Sequence, residues 1–286
     1  MTHLRLGLAY ENTPRISPIS MMTLSANLIA ILIYIVAAIY FGSHFARQKS
    51  FRPSQLLSTA TLGLVAHGIG VYGISVSGTS LTFSLFSASS LIFWVINVIV
   101  LISSLKKELH NLFLLLFPLS AISVVASITA TNPEWQHSLS YTIAAHVILS
   151  ILAYSLLTIA SLQALILAYQ NHALKNKSRI ANARLLPPLQ TMEALLFELL
   201  WVGEILLTLA ILSGFYFLED MFAQHLVHKT VFALSAWFIY ALLLWGRYQM
   251  GWRGNKAIRW ALAGFICLML AYFGSKLVLE IVLNRV

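Results

Sequence analysis

Apolar and polar positions alternate in long blocks along this chain. Eight apolar runs stand out, at about 21–42, 54–76, 84–105, 111–130, 141–169, 195–217, 228–247 and 258–283. Each is long enough for a helix to cross a hydrocarbon core of about 30 Å. The joints between them are short and polar. Lys106-Lys107-Glu108 is long enough only for a tight turn, so the third and fourth runs are expected as antiparallel neighbours. The pattern predicts an all-α fold, a polytopic membrane helix bundle of about eight transmembrane helices.

The longest polar joint, about 171–192, contains Leu185-Leu186-Pro187-Pro188 and carries no apolar pattern of its own. It is expected to link two groups of helices, leaving residues 21–286 as a single transmembrane domain. Residues 1–20 are polar and interrupted by Pro14 and Pro18, unlike the continuous apolar centre of a signal peptide. They are expected to form a disordered N-terminal extension, with Met21 or Met22 as an alternative start.

Composition narrows the class further. The chain is 59% hydrophobic and 9% charged, with a mean hydropathy of +0.83, more apolar surface than a soluble domain of 286 residues can hide. A net charge of +9 would fit a nucleic-acid partner, but the basic residues lie in short loops between apolar runs, where they set orientation instead. Alternate loops hold 13 Lys and Arg on one side and 5 on the other. The positive-inside rule therefore places the set of 13 in the cytoplasm and both termini in the periplasm of a bacterial inner membrane. The single cysteine, Cys267, lies within an apolar run and excludes a disulfide framework or covalent haem attachment through C-x-x-C-H. P-loop, strand-linked G-x-G-x-x-G and H-E-x-x-H motifs are absent, and no catalytic residue is expected.

Depth sorts the nine histidines. His3, His44, His110 and His172 fall in the extension or in cytoplasmic joints and read as solvated. His67 lies past mid-membrane among Gly63, Gly68, Gly70 and Gly73, which admit a neighbouring helix or a flat ligand close to the backbone. An ionisable group at that depth is a candidate functional residue, or else a neutral imidazole bonded to another helix. His146 lies about one and a half turns below the outer surface, and Ser150 and Tyr154 continue a polar stripe down the same helix face. His228 opens the seventh run at a similar level. A pair matched in depth can hold one haem iron, because neutral imidazole is a good iron ligand. Glu198 and Glu204, six residues apart, point in different directions and read either as proton or ligand contacts or as neutral acids bonded between helices. The tryptophans at 201, 237, 245, 252 and 260 are expected mostly as interfacial anchors at helix ends.

Several stretches carry a family resemblance. They are H-V-I-L-S-I-L-A-Y-S-L-L-T-I-A from His146, L-P-P-L-Q-T-M-E from Leu186, L-L-T-L-A-I-L-S-G from Leu206, H-K-T-V-F-A-L-S-A-W-F-I-Y-A from His228, G-W-R-G, and A-G-F-I-C-L-M-L-A-Y-F-G-S. In this order the second half of the chain resembles the cytochrome c assembly family of haem-handling membrane proteins, in particular its HemX-like branch. The first half matches loosely, through hydropathy and His67. The resemblance implies an outer haem-ligand role for His146 and a counterpart of an early-helix histidine in His67. The sequence also departs from the family's transport members. Their tryptophan-rich stretch is replaced by F-L-E-D-M-F-A-Q-H-L-V-H-K-T-V, and His228 falls where that pattern has proline, beside a matching lysine, Lys229. Trp245 and Gly274-Ser275-Lys276 stand where two later histidines are expected. What the resemblance implies is therefore binding of haem or a related tetrapyrrole rather than delivery to an apocytochrome.

The leading expectation is a membrane protein that binds haem b non-covalently in cytochrome c assembly or tetrapyrrole control. Its candidate iron ligands are His146 and His228, with His67 as a third candidate, Lys229 as a propionate partner, and other maturation proteins as possible partners. The competing expectations are a small-molecule or proton-coupled transporter using Glu198, Glu204 and His67, and a non-catalytic scaffold for assembly proteins. The charge asymmetry yields a direct test of topology: a reporter fused after Val286 is expected to be active in the periplasm, and cytoplasmic activity would mean a miscounted span.

Overall fold

The computed structural model describes residues 21–49, 52–77, 80–82, 85–107, 109–129, 136–137, 141–176, 185–217 and 227–274. The expected extension 1–20 and the end of the eighth run lie outside these residues. Eight helices occupy the eight apolar runs: α1 (Met21–Ala46), α2 (Pro53–Ser75), α3 (Leu85–Ser104), α4 (Phe113–Thr129), α5 (Tyr141–Asn176), α6 (Leu189–Phe217), α7 (Val227–Met250) and α8 (Asn255–Met269). A 3₁₀ turn (His110–Leu112) leads into α4, and a π turn (Leu270–Gly274) extends α8. Among the described residues seven helices, α1 to α7, are long and apolar enough to cross a membrane. The eighth run is helical as far as Gly274.

Helices form because hydrocarbon offers the backbone no water to bond, so each peptide group must be satisfied within its own segment. The exception is a small three-stranded antiparallel ribbon of β1 (Val76–Ser77), β2 (Ser80–Thr82) and β3 (Gln136–His137), in the order β1-β2-β3. Its register pairs Val76 with Leu81 and Leu81 with His137, tying the α2–α3 joint to the α4–α5 joint.

The helices pack as two groups. In the first, α1 lies against α2 and α4, and α3 against α2 and α4; in the second, α5 lies against α6 and α8, and α7 against α6 and α8. Contact of α3 with α5 joins the groups. Small residues set these distances. A Cβ on Gly63 would meet the Tyr34 ring at 2.6 Å, and one on Gly264 would meet the Tyr240 ring at 2.7 Å, so both aromatics sit directly on a neighbouring backbone. Both rings are fully buried, whereas Ile39, Leu62, Tyr72, Phe238 and Tyr248 face outward, as membrane-facing side chains do.

Polar bonds collect at the α5–α6 end of the bundle. Gln170 and Gln163 on α5 donate to the carbonyls of Pro187 (3.0 Å) and Met192 (3.2 Å), holding the start of α6. Glu193 is buried and accepts from Arg247 at 2.7 Å and Arg253 at 3.0 Å. Arg247 also donates to the Trp252 carbonyl at 3.2 Å and lies over the Phe197 ring. Gly251 and Gly254, at φ +63° and +54°, supply the left-handed backbone that turns α7 into α8 beside this cluster. Sequence reasoning missed Glu193; its signal was an acid at the membrane edge of α6 with one arginine in the last turn of α7 and another in the loop after it. Glu198 instead pairs with Lys107 from the α3–α4 turn, where both side chains are about half exposed.

These two ion pairs are expected to differ in weight. Glu193→Ala leaves Arg247 without its buried partner and should cost on the order of 3 kcal/mol. Lys107→Ala should cost less than about 1 kcal/mol. Thermal unfolding of both variants in mild detergent measures the contrast.

Candidate functional site

One face of α5 carries His146, Ser150 and Tyr154 at intervals of four residues. All three line a pocket of about 460 Å³, within the usual size range of ligand sites. Its walls come from α3 (Ala88, Ile92), α5, α6 (Leu207, Ala210, Ile211), α7 (Lys229, Thr230, Ala233) and the end of α8 (Leu268, Ala271, Tyr272). The pocket thus lies where the two helix groups meet, at the end of the bundle that carries the α4–α5 and α6–α7 joints. Its lining is mainly apolar, with polar atoms converging from α5 and α7.

The Ser150 hydroxyl donates to the His146 carbonyl at 2.8 Å. Across the pocket wall, Ser213 on α6 donates to its own-helix carbonyl at Ala210 (2.8 Å) and lies 3.0 Å from His146 Nδ1. A hydroxyl has one proton. With that proton on the Ala210 carbonyl, Ser213 Oγ accepts from Nδ1–H, and the lone pair of His146 resides on Nε2. The arrangement suits a metal ligand whose other ring nitrogen is held by a hydrogen bond.

Lys229, expected as a partner of an anionic ligand group, lines the same pocket as His146. His228 precedes it in the first turn of α7; its backbone is described, while its side chain lies outside the described residues. Among the described residues no group of three His, Cys, Asp or Glu side chains gathers to hold a metal ion.

His67 occupies a different place. It is fully buried between α1, α2 and α3, with Nδ1 3.2 Å from the Tyr34 hydroxyl and Nε2 2.9 Å from Ser90 Oγ. Both ring nitrogens are therefore bonded to protein. The glycines around it receive helices: Gly63 faces Tyr34, Gly68 faces Trp94, Gly70 faces Asn27 and Gly73 faces Thr23. α3 separates the two histidines, since Ala88 and Ile92 line the pocket while Ser90 bonds His67. The three candidates of a proton path are also apart. Glu198 is paired with Lys107, His67 lies in the first helix group, and Glu204 is buried in the second, close to Tyr240.

Trp237 corrects the expectation that the tryptophans mark helix ends. It lies in the middle of α7 and donates to Thr208 Oγ1 on α6 at 2.9 Å. Trp252 fits an end position and packs against Trp260 with ring centroids 5.4 Å apart. The bonding of His67 gives a measurable consequence: His67→Ala strands two buried hydroxyls and is expected to destabilise the bundle by about 2–4 kcal/mol, with Tyr34→Phe costing about 1 kcal/mol. Thermal unfolding is the readout.

Comparison with known proteins agrees with this architecture. The family model described as cytochrome C assembly protein matches residues 55–283. The "Inner membrane protein YpjD" of Escherichia coli (strain K12) is 30% identical over 261 residues, covering 89% of this chain and 98% of the relative. A shorter match, 28% identical over 138 residues, covers 47% of this chain and 38% of the "Cytochrome c biogenesis protein CcsA" of Chlamydomonas reinhardtii. No solved structure matches. With a family match spanning α2 to the end of α8 and a relative aligned over nearly its whole length, the chain belongs to the cytochrome c assembly protein family of multi-pass membrane proteins.

Proposed function

We propose that this protein binds haem b non-covalently in the inner membrane and serves cytochrome c assembly or the control of tetrapyrrole handling, in the manner of the HemX-like branch. The observation that carries the reading is the pocket shared by His146 and Lys229, contributed by α5 and α7. Its chemistry matches a flat apolar ligand with a metal at its centre and carboxylates at its edge. The apolar walls suit the macrocycle and Nε2 of His146 suits the iron. Lys229 suits a propionate at the polar end. His228, one residue before Lys229, is the second ligand in this reading. Haem, when bound, supplies an iron centre with a characteristic absorption and a redox couple. The residues of this chain hold and orient it, and α3 walls it off from His67. Other cytochrome c maturation proteins are the partners expected by kinship with proteins named for cytochrome c biogenesis.

His67 enters as the competing ligand, and its two bonds weigh against it, since iron binding would require breaking one of them. The test is the absorption spectrum of protein purified in mild detergent. A Soret band is expected. Replacing either His146 or His228 with alanine should convert a six-coordinate low-spin spectrum to five-coordinate, and the double variant should lose haem. His225→Ala should change little. A native spectrum in His228→Ala together with loss in His67→Ala would move the site into the first helix group and overturn this assignment.

A further inference from the structure

The pocket histidine does not stand alone. We infer that Ser213 is a positioning residue for His146: its hydroxyl, turned by the Ala210 carbonyl, holds the imidazole in the Nδ1–H form and presents the Nε2 lone pair to a metal in the pocket. The inference rests on the haem reading only for the identity of that metal.

Three observations meet at this point. Ser213 Oγ lies 2.8 Å from the Ala210 carbonyl three residues earlier on α6, the usual route by which a helical serine disposes of its proton. The same oxygen lies 3.0 Å from His146 Nδ1, so its lone pair faces an N–H. Ala210 itself lines the pocket beside His146, which places the whole relay in the wall and only the imidazole at the ligand. The contact crosses from α6 to α5, the two helices with the most extensive mutual packing, so the ring is held by a rigid pair rather than by a loop.

The contrast with His67 sharpens the assignment. There both nitrogens end on protein hydroxyls, Tyr34 and Ser90, and the ring is closed to ligands. At His146 the bonds gather on the α6 side, with the Ser213 hydroxyl 3.0 Å from Nδ1 and the Ala210 carbonyl also bonded to the ring, and the half-buried ring lines the pocket. Hydrogen bonds of this kind fix ring orientation and raise ligand basicity, and removing them typically weakens metal binding by about 10- to 100-fold.

The experiment uses the full chain in detergent, labelled with ¹⁵N in histidine, with the His146 signals identified by their loss in His146→Gln. In the ligand-free wild type, His146 is expected as the Nδ1–H tautomer. In Ser213→Ala the other tautomer should rise, ferric haem added as hemin should bind about tenfold more weakly, and the reduction potential of the loaded protein should shift. Ser213→Thr keeps the hydroxyl and should restore all three readouts, which separates positioning from a general loss of packing. A Ser213→Ala protein with the wild-type tautomer ratio, hemin affinity and potential overturns the assignment, as does a wild type whose His146 carries its proton on Nε2. If the wild type shows the Nδ1–H tautomer, sensitive to Ser213→Ala, and takes up no hemin, the haem reading fails while the role of Ser213 stands.

Discussion

Water is missing from the middle of a bilayer, and the backbone of this structure answers that constraint first. Backbone groups close their bonds inside helices, because an unpaired N–H or C=O in hydrocarbon costs several kcal/mol. Side-chain polar groups follow it in part: both carboxyl oxygens of the buried Glu204 lack a hydrogen-bond partner among the described residues, whereas others bond between helices. Asn97 on α3 donates to Ser120 on α4 at 2.7 Å, and Trp237 on α7 donates to Thr208 on α6 at 2.9 Å. These bonds run between helices that already pack together, so each polar group also fixes which faces meet.

Under that constraint the two membrane histidines take opposite forms. The His67 ring ties α1, α2 and α3 together through Tyr34 and Ser90 and spends its whole bonding capacity on protein. His146 bonds toward α6, to Ser213 and the Ala210 carbonyl, and its half-buried ring lines a pocket bordered by both helix groups. One ring is enclosed by three helices and the other borders a cavity, so the two differ in what can reach them. The pocket lies where α3 meets α5, one of the contacts that join the two groups. Ligand binding there would bridge both halves of the fold.

Among the described residues the ion pairs lie at the bundle ends. The buried carboxylate of Glu193 takes two arginines, one from the last turn of α7 and one from the loop that leads to α8, so a single acid fixes the geometry of three helices. Lys256 lies 3.8 Å above the Trp252 ring in the same region, shielding the tight α7–α8 turn. Glu198 and Lys107 bind the two helix groups across the same end of the bundle, but their exposure makes that link weaker.

The sequence by itself determined the class, the approximate place of each apolar run and the face of α5, whereas α5 and α6 reach into the joint expected at 171–192 and pack together in one group rather than on either side of it. Apolar length decides what must cross a membrane, and the helical repeat puts His146, Ser150 and Tyr154 on one stripe whatever surrounds them. It also brought Lys229 forward, as the neighbour of His228 and a partner for a propionate; its place in the pocket with His146 came from the structure. Only the tertiary structure decided what each buried polar group bonds, because hydropathy reports depth and carries no information about which helix is adjacent. Thus His67 and His146 look alike as sequence, and Ser213 looks like an ordinary helical serine. The same limit hid the Glu193 cluster, whose partners lie more than fifty positions away in the chain. It also made Trp237 resemble an interfacial anchor, until the packing of α6 against α7 gave its indole a partner inside the bundle.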